Sequence, residues 1–136
     1  MSVINCKVSY IRPNYNTIQE WMNHPNHEYI GRRGIVFINK ERFPKQDSIW
    51  ANPFKIGRDG TRDDVLCKYE KLLRDKLYTN DVNKAADAAA IYKEDLLKLD
   101  GKILGCWCKP ESCHGDVLLK LIEELKQEQN QKQKQE

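Results

Sequence analysis

A short apolar run, Lys102-Ile103-Leu104-Gly105-Cys106-Trp107-Cys108, lies between two stretches of helical periodicity. It is too short for a helix and reads as a strand, and Pro110 forbids its easy continuation. A buried strand entered from one helix and left by another implies helices packed on a sheet, an α/β arrangement. The last helix is expected from about His114 to Gln127, with Val117, Leu118, Leu121, Ile122 and Leu125 as its buried stripe. The tail from Lys126 to Glu136 is almost only Gln, Lys, Glu and Asn, and is expected to be frayed helix or disordered. Residues 1–126 then form one domain, with 127–136 as a polar tail.

The other elements follow from the same reasoning. Val3 to Tyr10 alternates weakly as a first strand, and Thr17–Met22 carries one helical turn inside a polar loop. Tyr29–Arg32 and Ile35–Ile38 are short strands, followed by a long irregular segment over residues 39–60. Thr61 caps a helix whose first turn holds Asp63 and Asp64 and whose apolar face is Val65, Tyr69, Leu72, Leu73 and Leu77. An Ala-rich helix is expected over Asp81–Leu99, with Val82, Ala85, Ala89, Tyr92 and Leu96 on one stripe and Gly101 at its end. The expected fold is a small single α/β domain, Rossmann-like. It has a short, mainly parallel sheet, about three flanking helices and Lys102–Cys108 as the central strand.

No apolar run approaches the roughly 18 residues of a membrane-spanning helix. Five cysteines, three of them clustered, argue for reduced thiols or a metal rather than a disulfide framework. The expected compartment is therefore reducing and cytoplasmic. The formal net charge of +3 permits a polyanionic partner without demanding one, so nucleic acid has only weak support.

Chemistry concentrates at the strand-to-helix junction, where Cys106, Cys108, Cys113, His114 and Asp116 fall within eleven residues. Open α/β proteins place their sites at such junctions. Three readings stay open. In the first, Cys106, Cys108, Cys113 and His114 converge on a tetrahedral zinc ion. In the second, Cys113 is a nucleophile, activated by a helix N-terminus and by His114, with Asp116 orienting the imidazole. In the third, the cysteines pack as small hydrophobes and His114 and Asp116 only cap a helix. Two glycine–arginine loops, Gly31–Gly34 and Ile56–Arg62, suit a phosphate-bearing ligand, with arginine giving bidentate contacts. Trp50, Asn52 and Phe54 beside the second loop either stack on a base and read its edge or cover a core edge.

Three blocks carry a family resemblance. They are Tyr29-Ile30-Gly31-Arg32, then Trp50-Ala51-Asn52-Pro53-Phe54 with Gly57–Arg62, then Gly101 through Leu118 with Cys106-Trp107-Cys108, Pro110 and Cys113-His114-Gly115-Asp116. Their order and content resemble the domain of unknown function 4326 family of bacteria, phages and large viruses. About eighteen residues (Arg33–Trp50) separate the first two blocks here, where the family typically has only a few, and Ala51 stands where the family often has glycine. The resemblance implies a small α/β domain from a phage or viral context and supplies no activity. It groups Asn52, Arg58, Cys108, Cys113, His114 and Asp116 as one site. Joined to the residue reading, it gives two candidate functions. One is a module that binds or acts on a nucleotide-like or phosphorylated ligand, held by Arg32, Asn52, Arg58 and Arg62, with Cys113, His114 and Asp116 doing chemistry. The alternative is a zinc-stabilised interaction domain.

Overall fold

The four residues of β5 (Ile103–Cys106) organise the molecule, described by a computed structural model over residues 2–78, 91–107 and 111–135. On one side β5 pairs in parallel with β1 (Ser2–Asn5), Ser2 opposite Ile103 and Asn5 opposite Cys106. On the other it pairs in parallel with β2 (His27–Tyr29), His27 opposite Ile103 and Tyr29 opposite Gly105. The sheet order is thus β1-β5-β2, and the run read as the central strand is central. The chain is a small α/β domain.

Alternation along β5 creates two cores. Leu104 and Cys106 join a cluster built from α3 (Arg62–Tyr78), α4 (Lys93–Leu97) and α5 (His114–Gln135). On the opposite face, α1 (Val8–Ile11) and α2 (Ile18–Met22) bring Ile11, Ile18 and Trp21 together with Cys6 and Tyr29. Gly105 faces that second core. A Cβ at this position would collide with the Cys6 sulfur and the Trp21 indole, so only glycine lets the tryptophan lie against the strand.

Local chemistry explains the two long helices. The Thr61 hydroxyl accepts the Asp64 N–H and the Asp64 carboxylate accepts the Thr61 N–H, a reciprocal cap that starts α3. Val65, Tyr69, Leu73 and Leu77 then recur every fourth residue and are buried. In α5 the buried stripe is Val117, Leu118, Leu121, Ile122 and Leu125, as the periodicity predicts. Across the α3–α5 seam Arg74 makes a two-pronged contact with Glu124 at 2.9 and 3.0 Å and also meets Glu70. The α5 backbone stays helical past the end of this stripe, to Gln135.

Three expectations need correction. The predicted first strand stops at Asn5, and the chain turns into α1, because the Asn5 side chain accepts the Lys7 N–H and bends the backbone. The helix expected over Asp81–Leu99 is interrupted. Its residues 81–90, with Val82, Ala85 and Ala89, lie outside the described residues, but Tyr92 is extended (φ −105°, ψ 154°) and α4 begins only at Lys93. The Asp95 carboxylate accepts the Tyr92 N–H, as at a helix start. Ile91 enters the core in place of Tyr92, which is 38 % exposed. The segment expected to be irregular holds a hairpin. β3 (Val36–Ile38) and β4 (Glu41–Phe43) pair antiparallel through Asn39 and Lys40, both at positive φ (54° and 68°). That is the backbone of a primed two-residue turn, whose usual Asn-Gly signature is hidden here by lysine in the second position.

Gly105 provides the test of this architecture. Gly105→Ala is expected to lower stability by roughly 1–3 kcal/mol, the usual penalty of overpacking, because Cys6 and Trp21 must both retreat. Denaturant unfolding measures it, and an unchanged midpoint would show that the second core is loosely packed.

Candidate functional site

At the carboxyl ends of β2 and β5 the sheet opens into a cleft of about 430 Å³. Three segments far apart in sequence meet there: Gly31 and Arg32 after β2, Asn52 to Arg62 leading into α3, and Trp107 with Ser112, Cys113 and His114 around the start of α5. Ligands in open α/β sheets bind in this position. Arg32, Lys55 and Arg62 line the cleft, and no carboxylate does among the described residues. Phe54, Ile56, Val65, Leu66 and Trp107 supply apolar walls.

The arginines are held in place by backbone carbonyls. Arg32 donates from Nε and Nη2 to the Asn52 carbonyl at 3.0 and 2.8 Å, and from Nη2 to the Phe54 carbonyl at 2.8 Å. These bonds tie the loop after β2 to the loop before α3. Arg62 donates from Nη1 to the Ser112 carbonyl at 2.9 Å, tying α3 to the entry of α5. Tyr29 supports the opposite wall. Its hydroxyl accepts the Trp107 indole N–H at 2.6 Å and donates to the Arg32 carbonyl at 2.5 Å. Burial pushes the Tyr29 phenol up to about 12, so it stays neutral and keeps both bonds. Gly31 is required beside it, because a Cβ there would strike the Tyr29 ring.

Cys113 and His114 form the buried floor. Cys113, 1 % exposed, is the N-cap of α5. Its Sγ accepts the Gly115 N–H at 3.3 Å and its carbonyl accepts the Asp116 N–H at 2.9 Å. The Asp116 carboxylate returns the favour by accepting the Cys113 N–H at 3.1 Å. His114 Nε2 lies 2.6 Å from the Ile30 carbonyl, which can only accept, so that nitrogen carries a proton. In the neutral ring Nδ1 is then the lone-pair nitrogen, and it lies 3.7 Å from Cys113 Sγ. The Tyr69 ring meets the imidazole edge-on at 5.2 Å, and its own hydroxyl is bonded to the Trp50 carbonyl at 2.6 Å. Burial, and the Cys113 sulfur after it, push the Tyr69 phenol up, so it too is neutral.

Several residues read as ligand or catalytic groups have other tasks. Asn52 is buried. Its side-chain oxygen accepts the Phe54 N–H at 2.9 Å and its amide nitrogen lies 3.4 Å from the Val65 carbonyl, so it shapes the loop where it lines the cleft. Arg58 lies outside the cleft, with its side chain 60 % exposed, and grips Asp59 and the Pro53 carbonyl. That hydrogen bond, with the Lys55 N–H, holds the Asp59 carboxyl below the usual carboxylate range. The orienter of His114 is the Ile30 carbonyl, and Asp116 serves the cap. Trp50 is core, and of the two aromatics beside the loop only Phe54 reaches the cleft.

The zinc set is not assembled by the described residues. Among them no three His, Cys, Asp or Glu side chains converge as a metal site, and Cys108 lies outside them. Cys106 is fully buried in the sheet core. Its neighbour across the strand ends, Cys6, has its thiol pushed up to about 12 by burial and by Cys106, and is inert at neutral pH. Cys67 is exposed on α3, while His27 stacks on His24 at 4.3 Å and on Trp21 at 4.4 Å. Trp107, Lys55 and Tyr29 are cleft or cleft-supporting residues that sequence reasoning missed. The signal available for Trp107 was its place one residue beyond an apolar strand, where open α/β folds put ligand contacts.

No described helix is long and apolar enough to cross a membrane. No solved structure matches the chain significantly. Two viral proteins do. An uncharacterized 12.4 kDa protein in the nrdA-td intergenic region of Enterobacteria phage T4 is 29 % identical over 106 residues, covering 74 % of this chain and 87 % of the phage protein. Uncharacterized protein R718 of Acanthamoeba polyphaga mimivirus is 31 % identical over 101 residues, covering 68 % of this chain and 64 % of the viral one. The profile of the Domain of unknown function (DUF4326) family matches residues 14–124, which include all three segments of the cleft, and the chain belongs to that family.

Proposed function

We propose that the cleft binds a nucleotide-like, phosphate-bearing small molecule, with Cys113 and His114 as the chemically active pair at its floor. One observation carries this reading: among the described residues, three cationic side chains and no carboxylate line a cleft that also has apolar and aromatic walls. Cations without internal counter-charge attract an anion, and guanidinium groups suit phosphate geometry. Phe54 and Trp107 offer flat surfaces to a base or similar ring. Arg32 and Arg62 are already fixed by carbonyl bonds, so little rotamer freedom is lost on binding.

The floor adds reactivity. Transfer of the Cys113 thiol proton to His114 Nδ1 gives a thiolate beside an imidazolium. The Gly115 N–H and the positive end of α5 both stabilise charge on that sulfur, while the Ile30 carbonyl holds the imidazolium through Nε2. Lysine, arginine and the helix end thus place the ligand's phosphate and the sulfur in one positive field.

Calorimetry with purine and pyrimidine nucleoside 5′-monophosphates, the matching nucleosides and inorganic phosphate tests the binding step. A monophosphate should bind well above its nucleoside, and Arg62→Ala should weaken it about 10- to 100-fold, the worth of one charge-assisted bond. Equal binding of nucleoside and monophosphate, or binding of neither, would refute the reading. For the floor, alkylation mapped by mass spectrometry should show Cys113 protected by saturating monophosphate. Cys67, exposed and not among the cleft-lining residues, is the internal control and should react at an unchanged rate. A Cys113 rate indifferent to the nucleotide would remove the thiol from the site.

A further inference from the structure

The overall charge of +3 conceals a segregated distribution. Residues 30–62 hold eight lysines and arginines against three acidic residues, so the rest of the chain is net acidic. Two of those three acids are engaged internally, Asp47 by the Arg33 backbone N–H at 2.7 Å and Asp59 by Arg58 and the Lys55 N–H. The same segment carries four exposed large apolar side chains, Ile35, Phe37, Ile49 and Ile56. Basic charge interleaved with exposed apolar and aromatic surface is the pattern of single-strand nucleic-acid binding, in which cations track the backbone and rings stack on bases.

The geometry continues this surface beyond the cleft. The chain from Gly31 to Ile35 is a wall with a concavity on each side. Gly31, Arg32 and Ile35 face the cleft. Arg33 and Gly34 face a second, open concavity of about 510 Å³ that Arg42, Pro44 and Lys45 complete, with Glu41 its one acid. On the hairpin, Phe37 is 67 % exposed and the Arg42 guanidinium lies 4.9 Å over its ring. Arg42 also donates to the Gly34 carbonyl at 3.0 Å, which ties the hairpin to the wall.

We infer that this face binds single-stranded nucleic acid, with one nucleotide of the strand in the cleft and the adjoining nucleotides on the β3–β4 hairpin. The inference rests on the nucleotide reading of the cleft and deepens it by naming the polymer as the ligand. A cleft of this size takes a nucleotide only when its base is out of the stack, and that costs least in a single strand.

Fluorescence anisotropy with labelled dodecamers of thymidylate and of uridylate tests it, with thymidine and uridine 5′-monophosphates as competitors. A dodecamer of either sugar should bind at least about tenfold tighter than its monophosphate, because further bases stack and further phosphates are neutralised. Its affinity should fall with salt, log against log, by about 0.7 per phosphate neutralised. Arg33, Phe37 and Lys45 are exposed, so their replacement should leave the fold intact, as circular dichroism can verify. The double variant Arg33→Glu, Lys45→Glu should weaken the dodecamer by more than roughly tenfold and leave the monophosphate unaffected. Phe37→Ala should do the same by about fivefold or more. Monophosphate binding without tighter dodecamer binding would overturn the polymer inference and leave the cleft reading standing. Tighter dodecamer binding indifferent to these variants would overturn the assigned face. Binding of neither would overturn both.

Discussion

Backbone pairing on both edges of β5 and side-chain cover on both of its faces impose the rest of the architecture. A strand in that position has no water to satisfy it, so β1, β2 and the residues flanking them take up its backbone groups, the Ile103 N–H bonding to Asn26 and the Gly105 and Cys106 carbonyls accepting from Ile30 and Cys6. Its alternation then demands two different surfaces within four residues. Leu104 and Cys106 require an apolar layer, which α3 and α5 provide. Gly105 admits the Trp21 ring, so α2 can sit close against the sheet. Parallel pairing forces long connections, and these carry the chain out and back at the strand ends where the cleft opens.

The cleft is a consequence of how those connections are fastened. Few regular elements reach the carboxyl edge of the sheet, so side chain to carbonyl bonds hold the loops. Arg32 joins the exit of β2 to Asn52 and Phe54, Arg62 joins α3 to Ser112, and His114 joins α5 to the end of β2 through Ile30. Each fastener places charge or a titratable ring at the cleft surface. A guanidinium has five donors, and Arg32 spends two nitrogens on carbonyls, so the group that braces the loops also presents a cation at the cleft surface. Structure and binding are therefore not separable by substituting Arg32 alone, whereas Arg62 contributes one bond to the frame and is the cleaner probe.

The elements with a long repeating signal were legible in the sequence. The stripes of α3 and α5 repeat over several turns, and β5 is an apolar run between breakers. What failed had a physical cause in each case. Propensity reads the stretch before β5 as one helix to Leu99, but Ile91 is drawn into the core and the Asp95 carboxylate starts α4 after Tyr92, a tertiary preference that propensity does not contain. The hairpin was hidden because Asn39 and Lys40 adopt positive φ without glycine. For the site, sequence order identified the three segments that meet, and several side chains within them are also engaged in turns and helix caps. Asn52, Arg58 and Asp116 are the residue types that bind ligands, and the same donors and acceptors satisfy turns and helix caps. Spacing alone cannot tell a carboxylate that accepts a backbone N–H three residues away from one that orients an imidazole.

Cys113 poses the remaining question of residue choice. As a cap for α5 it performs a task that serine, threonine, aspartate or asparagine performs better, because a thiol is a weak acceptor and its 3.3 Å contact with the Gly115 N–H is correspondingly long. If capping alone set the residue, an oxygen would stabilise the helix more. The sulfur instead sits where the cap position, the Nδ1 side of a carbonyl-anchored histidine and the wall of a cationic cleft coincide. Each of these favours negative charge on that atom while its burial opposes it, and a hydroxyl at the same place could not be ionised at neutral pH. On the proposed reading of the cleft, cysteine exchanges part of the cap's stability for an ionisable sulfur at the cleft floor.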